Sequence, residues 1–143
     1  MPRETDYLLD THVWVWVVEG DTRQIGPRTR RTLSAAARAG RVRVSPISAW
    51  EIGMLVRKER LQFTLPCSQW IERAVTAPGV SVAELTPRAA VESSCLPGAF
   101  HGDPADRMLV ATARLGESVL VTADAAILEY ARSGHVHAAD CTR

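Results

Sequence analysis

Tyr7-Leu8-Leu9-Asp10-Thr11-His12 is the stretch of sequence from which the fold can be worked out. Its apolar start predicts a short strand, after which Asp10 or Thr11 can cap a helix that runs through the apolar residues 12–18 and ends at Gly20. An acidic residue at the carboxyl end of a buried strand lies where open α/β sheets bind their ligands. Asp10 is therefore the first candidate site residue.

Strands and helices alternate along the rest of the chain. Further strands are predicted at residues 42–45, 80–85 and 118–122, with a last edge strand at Val136. Helices are predicted from Pro27 to Gly40, after a cap at Ser48, and over residues 66–75, 86–94, 107–115 and from Asp124 onward. This alternation predicts a single α/β sandwich over residues 1–143, with a mainly parallel sheet of about four or five strands flanked by helices.

Composition narrows the class of protein. The 143 residues are 46% hydrophobic and 23% charged, which is typical of one globular domain and excludes a disordered or fibrous chain. No apolar run is long enough for a membrane helix, and residues 1–6 lack the apolar core of a secretory signal, so a cytoplasmic location is expected. The widely spaced Cys67, Cys95 and Cys141 predict reduced, structural cysteines rather than a disulfide framework or a zinc site.

The positive charge is almost entirely arginine. Sixteen of the seventeen basic residues are arginines, and seven of them lie between Asp21 and Glu51, a segment with no acidic residue. The planar guanidinium group can donate two parallel hydrogen bonds to one phosphate. A solvent-exposed helix face and a nucleic-acid-binding surface explain this segment equally well.

Four acidic residues stand out by their positions. Asp10, Asp106 and Asp124 follow strands or begin helices on what a parallel sheet would make one edge, although each alone could be a helix cap. Glu51 falls in mid-helix, where it has no capping role, on the same side as the apolar Ile47, Met54 and Leu55. A carboxylate buried there would need a positive partner.

Carboxylates gathered on one edge repel one another unless a cation lies between them. An all-oxygen set of ligands suits Mg²⁺ or Mn²⁺, whereas zinc favours His or Cys. Such an ion can activate water and stabilise the charge that develops on a phosphoryl oxygen. The arrangement therefore points to metal-dependent cleavage of phosphodiester bonds.

These residues also carry a family resemblance. The segments Asp10-Thr11-His12, Ser48-x-x-Glu51, Asp103-Pro104-Ala105-Asp106-Arg107 and Thr122-Ala123-Asp124 resemble, in order and approximate spacing, the four motifs of the PIN domain, and most closely those of VapC toxins from toxin–antitoxin pairs. The resemblance covers nearly the whole chain. It implies a Mg²⁺- or Mn²⁺-dependent endoribonuclease of tRNA, rRNA or mRNA, inhibited by a cognate VapB-like antitoxin.

By matching position, the resemblance assigns the metal-binding and catalytic roles to Asp10, Glu51, Asp106 and Asp124. Asp103 is expected near the site as a cap or a supporting residue, because Asp106 fits the family spacing better. Thr11 and Thr122 are expected to hydrogen-bond the carboxylates and so to orient them.

Several other side chains have weaker predicted roles. Arg28, Arg30, Arg31 and Arg107 are the candidate RNA-binding residues. His12 and His101 are interpreted as structural rather than as bases. The tryptophans Trp14, Trp16, Trp50 and Trp70 are expected in the core or in the interface of a homodimer, with RNA stacking as a second reading.

Two alternative functions stay open. A haloacid-dehalogenase-like phosphatase also begins with a strand-terminal Asp, but it requires a second Asp where this sequence has His12. A nucleic-acid- or protein-binding module without catalysis would use the acidic residues only as helix caps. The mid-helix position of Glu51 argues against the second alternative.

Overall fold

A computed structural model describes residues 4–143, and its centre is a five-stranded sheet with the order β3-β2-β1-β4-β5. All four strand pairs are parallel. The strands are β1 Tyr7–Leu9, β2 Val42–Val44, β3 Val80–Val82, β4 Val119–Thr122 and β5 His137–Asp140. The mainly parallel sheet predicted from the sequence is confirmed, and within the described residues it is parallel throughout.

Helices occupy the connections between the strands. They are α1 Thr11–Glu19, α2 Pro27–Arg38, α3 Pro46–Arg57, α4 Cys67–Val75, α5 Pro87–Glu92, α6 Pro104–Gly116 and α7 Ala125–Arg132. α1 ends as expected at Gly20, which adopts the left-handed conformation (φ 68°) that glycine tolerates without a steric penalty.

The sheet separates two hydrophobic cores, which makes the fold a three-layer α/β/α sandwich. Alternate residues of a strand point to opposite faces. Leu9 accordingly packs with Trp14 of α1, Leu33 of α2 and Trp70 of α4 in one core. Leu8 packs in the other core with buried residues of α6 and α7, including Leu109 and Ile127.

The strand register brings the ends of β1 and β4 together. Leu9 pairs with Val121, and the backbone N–H of Asp10 donates to the Val121 carbonyl at 3.0 Å. Because all the strands are parallel, their carboxyl ends lie at one edge of the sheet. The residues that follow β1 and β4 are therefore neighbours in space, although more than 100 residues separate Asp10 from Thr122.

The predicted cap of α3 was wrong by three residues. Ser45 is the cap, with its hydroxyl accepting from the Ile47 N–H at 3.1 Å, and Pro46 occupies the first turn instead of only ending the strand. Proline suits this position because the N–H that it lacks would have no partner inside the helix. Ser48 is instead fully buried inside the helix.

The predicted burial of Glu51 was also too deep. The buried residues of α3 are Ser48 and Ile52, while Glu51 is only half-buried, as are Ile47 and the other apolar neighbours named above. Trp50 is 57% exposed and so does not belong to the core, although Trp14 and Trp70 do. Whether Trp50 lies in a dimer interface stays a prediction.

The remaining predictions about sequence class have mixed outcomes. Cys67, Cys95 and Cys141 are unpaired, but Cys95 is exposed. Over residues 4–143, no helix combines the length and apolar character needed to cross a membrane. The expectation about a secretory signal concerns residues 1–6, of which 1–3 lie outside the described part of the chain.

Candidate active site

Asp10 is a buried carboxylate that both starts a helix and faces the predicted site. It is 8% exposed, and its Oδ1 accepts from the Thr11 N–H at 2.8 Å as the cap of α1. Its Oδ2 accepts from the hydroxyl of Thr122 at 2.7 Å. Burial raises the pKa of Asp10, while the hydrogen bonds from Thr122 and Thr11 oppose that rise.

Thr122 joins Asp10 to the start of α7. Its hydroxyl is fully buried, donates to Asp10 and accepts from the Asp124 N–H at 2.9 Å. Asp124 in turn caps α7, with Oδ1 accepting from the N–H groups of Ala126 and Ile127 at 2.8 and 3.1 Å. This hydrogen-bonded chain fixes the relative positions of two of the predicted carboxylates and agrees with the orienting role expected for Thr122.

The start of α6 supplies two further acids. Asp103 is the cap, as its Oδ1 accepts from the Asp106 N–H at 2.9 Å. Asp106 lies in the first turn, and none of the hydrogen bonds described for residues 4–143 involves its side chain. Asp103 is thus both the predicted cap and a neighbour of the site, while Asp106 leaves its carboxylate available.

Ser48 connects α1 with α3, beside Glu51. Its hydroxyl accepts from the Thr11 hydroxyl at 2.9 Å, and both residues are buried. Positions three apart lie on the same side of a helix, so Glu51 follows Ser48 toward the carboxyl edge of the sheet. Ser48 was predicted as a cap, and its contact with Thr11 was not foreseen.

The electrostatics show that the acids are neighbours. Burial has the largest effect and, together with the charges of Asp103, Asp10, Asp124 and Glu51 in that order, raises the pKa of Asp106 from 3.8 to about 7. Within the described part of the chain, no arginine or lysine forms an ion pair with any of these acids. Asp10, Glu51, Asp103 and Asp124 thus all lie near enough to Asp106 to act on its charge.

The donor set fits a hard divalent cation. Every charged group that shifts the pKa of Asp106 is a carboxylate, which is the ligand type that Mg²⁺ and Mn²⁺ prefer. Among residues 4–143, no three His, Cys, Asp or Glu side chains are already gathered into a metal-binding cluster. Mutual repulsion of carboxylates accounts for a looser arrangement, which a cation between them would relieve.

The predicted RNA-binding arginines fall into two groups. Arg28, Arg30 and Arg31 are exposed on the first turns of α2. Arg107 is partly buried, with Nε donating to the Ser93 carbonyl at 2.7 Å and Nη1 donating to the Phe100 carbonyl at 2.6 Å. Unlike the first group, Arg107 is engaged within the fold.

The histidines named in the sequence have modest contacts. His12 is exposed on the first turn of α1, 5.9 Å from the ring of Trp16, and its charge lowers the pKa of Asp10. His101 is exposed in the loop before α6. These observations do not support a role as catalytic base for either histidine.

Comparison with known proteins agrees with the geometry. The PIN domain family model matches residues 7–133. Ribonuclease VapC22 of Mycobacterium tuberculosis is 34% identical over 120 residues, which are 84% of this chain and 88% of that protein.

Solved structures resemble this fold over nearly its whole length. VapBC2 of Rickettsia felis, bound to a fragment of its promoter DNA, has a TM-score of 0.68 at 15% identity, covering 94% of this chain and 98% of that chain. DNA-bound VapBC of Salmonella typhimurium has a TM-score of 0.68 at 16% identity, covering 96% and 98%. These likenesses confirm the predicted architecture.

Proposed function

Because the chain belongs to the PIN domain family, we propose that it is an endoribonuclease and the toxin of a toxin–antitoxin pair. The relative named Ribonuclease VapC22 supports the activity, and the VapBC structures support the toxin assignment. The observation that carries the proposal is the carboxylate site around Asp106, where burial and four other acids raise the pKa to about 7. A divalent cation among these acids would relieve their repulsion and supply the chemistry for hydrolysing RNA.

Asp10, Glu51, Asp106 and Asp124 are the proposed ligands of Mg²⁺ or Mn²⁺. Asp103, whose Oδ1 is used as a helix cap, has a supporting role. When bound, the ion activates a water molecule and stabilises negative charge on the phosphoryl oxygen.

The protein's own residues prepare the site for that chemistry. The Thr122 hydroxyl orients Asp10 through a 2.7 Å hydrogen bond, so that little reorganisation is needed when the cation binds. Asp106, with a pKa of about 7, releases its proton near neutral pH and becomes a charged ligand. The carboxylates would hold the cation, and the cation would supply the positive charge that the scissile phosphate needs, because carboxylates alone repel phosphate.

RNA binding is proposed for the exposed arginines of α2. The N-cap of this helix, Gly26, donates its N–H to the Cys141 carbonyl at 2.8 Å, so α2 begins at the same edge of the sheet as the acids. Arg28 and Arg31 form no ion pair within residues 4–143, which leaves their guanidinium groups available for phosphates. Arg30 belongs to the same set but also borders a groove.

This groove is the proposed binding site of a cognate VapB-like antitoxin. It has a volume of about 520 Å³ and is lined by apolar residues of α1, α2 and α4, among them Trp14, Leu33 and Ala74. Arg30 and Arg73 also line it, together with Asp21, which is paired with Arg23. An apolar segment with acidic residues that face the two arginines therefore fits its surface and its charge. Charge reversal of Arg73 should weaken copurification with the co-expressed product of an adjacent upstream gene.

A cytoplasmic location and a homodimer complete the proposal. Sedimentation of the purified protein tests whether it forms a dimer. If the exposed Trp50 lies in the dimer interface, its fluorescence should change when the dimer forms. The two alternative functions, a phosphatase and a non-catalytic binding module, are less well supported. Residues 7–133 match a PIN domain, and several acids act on Asp106, which helix capping alone does not explain.

The function is tested by inducing the protein in a bacterial host and mapping the ends of cellular RNA. We expect growth arrest and new RNA ends with the native protein and neither with Asp10→Asn. Glu129→Gln, which alters an exposed acid paired with Arg132 on α7, is the matched control and should retain both effects. Equal toxicity and identical RNA ends with Asp10→Asn would contradict the proposal.

A further inference from the structure

Arg107 follows Asp106 directly in α6, and its side chain bridges two segments that precede the helix. One bond reaches the carbonyl of Ser93, the residue at the C-terminal cap of α5. The other reaches the carbonyl of Phe100, in the loop of residues 96–102. Hydrogen bonds from a charged donor are stronger than neutral ones, so both segments are firmly tied to α6.

The loop is held at a second point by α7. The Tyr130 hydroxyl donates to the Pro97 carbonyl, and the rings of Tyr130 and Phe100 lie 4.9 Å apart. Phe100 is only 6% exposed. The loop of residues 96–102 is therefore held by hydrogen bonds from Arg107 and Tyr130 and by the buried ring of Phe100.

The fixed loop packs directly against Asp106. A Cβ atom added at Gly102 would lie 2.5 Å from Cζ of Phe100 and 3.0 Å from Cβ of Asp106. These distances leave no room for a side chain at Gly102, so its backbone packs closely between the Phe100 ring and Asp106. A shift of Phe100 toward Gly102 would therefore push the backbone against Asp106.

We propose that Arg107 is a positioning residue for the reaction, acting through the loop of residues 96–102 rather than by touching RNA. By holding the Phe100 carbonyl, it sets the position of Gly102 and so of the Asp106 carboxylate. The next loop residue, Asp103, caps the same helix turn through the Asp106 N–H. This inference rests on the proposed function, because it assigns Arg107 a part in the same acidic site.

The test compares Arg107→Ala with Arg107→Lys and with Arg132→Ala. Arg132 is 80% exposed and pairs with Glu129 on its own helix, which makes it a control for loss of one arginine. Cleavage of a fluorescent RNA is measured while Mn²⁺ is titrated. We expect Arg107→Ala to lower kcat and raise the half-saturating Mn²⁺ concentration by about 10- to 100-fold, with KM for RNA nearly unchanged.

The conservative variant sharpens the result. Lysine keeps the charge but lacks the planar fork that reaches two carbonyls, so Arg107→Lys should lose about tenfold in kcat. Native metal dependence and kcat in both Arg107 variants would overturn the proposal. For Arg132→Ala we expect the kcat and Mn²⁺ requirement of the native protein, because Arg132 pairs with Glu129 and not with the loop of residues 96–102.

A binding measurement distinguishes positioning from RNA contact. RNA affinity is measured at several salt concentrations in an Asp10→Asn background, where no cleavage occurs. Loss of a phosphate contact would reduce the slope of log affinity against log salt by about 1. We expect the same slope with and without Arg107→Ala, and a reduced slope would overturn the inference.

Tyr130→Phe provides a variant that leaves Arg107 in place. It removes only the hydroxyl that donates to Pro97, and we expect a smaller rise in the Mn²⁺ requirement in the same direction. A native Mn²⁺ requirement in this variant would contradict the role of the loop. If Asp10→Asn is inactive while the Arg107 variants behave like the native protein, this inference fails and the proposed function stands.

Discussion

Replacing Asp106 by Asn should stabilise the metal-free protein while abolishing RNA cleavage. Burial and four neighbouring acids raise the pKa of this carboxyl from 3.8 to about 7. A raised pKa means that the charged form is unfavourable in the folded state. At pH 8, where Asp106 is charged in both states, removing the charge therefore favours folding.

The size of the effect follows from the pKa. A rise from 3.8 to about 7 corresponds to about 4 kcal/mol at most. Partial exposure of the group reduces this to about 2 kcal/mol, and losing a charge from the first turn of α6 costs about 1 kcal/mol of helix-dipole stabilisation. The net gain of about 1 kcal/mol should raise Tm by about 3 °C.

The dependence on pH tests the cause. Between pH 4 and pH 7 the folded native protein holds the Asp106 proton more tightly than the unfolded chain does, so native stability decreases as pH rises through this window. The advantage of Asp106→Asn should thus grow from pH 4 to pH 8.

Differential scanning calorimetry in EDTA measures this advantage, with Glu129→Gln as the control for loss of an exposed acid. A variant that is less stable than the native protein at pH 8, by the same margin as at pH 4, would refute the reasoning.

Three further predictions concern the surroundings of the acids. Thr122→Val removes the buried donor to Asp10, and we expect about 2 kcal/mol lower stability at pH 7, measured by urea unfolding, and slower cleavage. Ser48→Ala removes the acceptor of the Thr11 hydroxyl and should cost about 1 kcal/mol in the same assay. Mn²⁺ affinity, measured by calorimetry, should increase from pH 6 to pH 8 with proton release, because protons compete for Asp106; constant affinity over this range would count against its role as a ligand.

Much of the site could be predicted because parallel strands place their carboxyl ends at one edge of a sheet. Asp10 and Asp124 follow neighbouring strands, so their proximity required only the correct strand order. The capping signals at Asp10, Asp103 and Asp124 were also read correctly, since all three accept from backbone N–H groups at helix starts. Capping is compatible with the proposed role in the site, because each cap uses one carboxylate oxygen.

The error in the cap of α3 arose where two local signals competed, and contacts to backbone atoms could not be predicted. Ser45 and Ser48 could each have capped α3, and only the placement of Pro46 in the first turn distinguishes them. The two hydrogen bonds of Arg107 could not be foreseen because its partners are carbonyls, which every residue has. Backbone acceptors leave no signature in side-chain patterns, so the loop tether became visible only in the structure.

We propose above that the acids around Asp106 hold a divalent ion, and that the protein hydrolyses RNA with its help. Single-turnover cleavage of a defined RNA by the purified protein, in EDTA and during titration with Mn²⁺, tests it directly. The native protein should be inactive in EDTA and gain activity with Mn²⁺, while Asp10→Asn should stay at least about 100-fold slower at any Mn²⁺ concentration. Cleavage by native protein that persists in EDTA, or native rates in Asp10→Asn, would contradict the account.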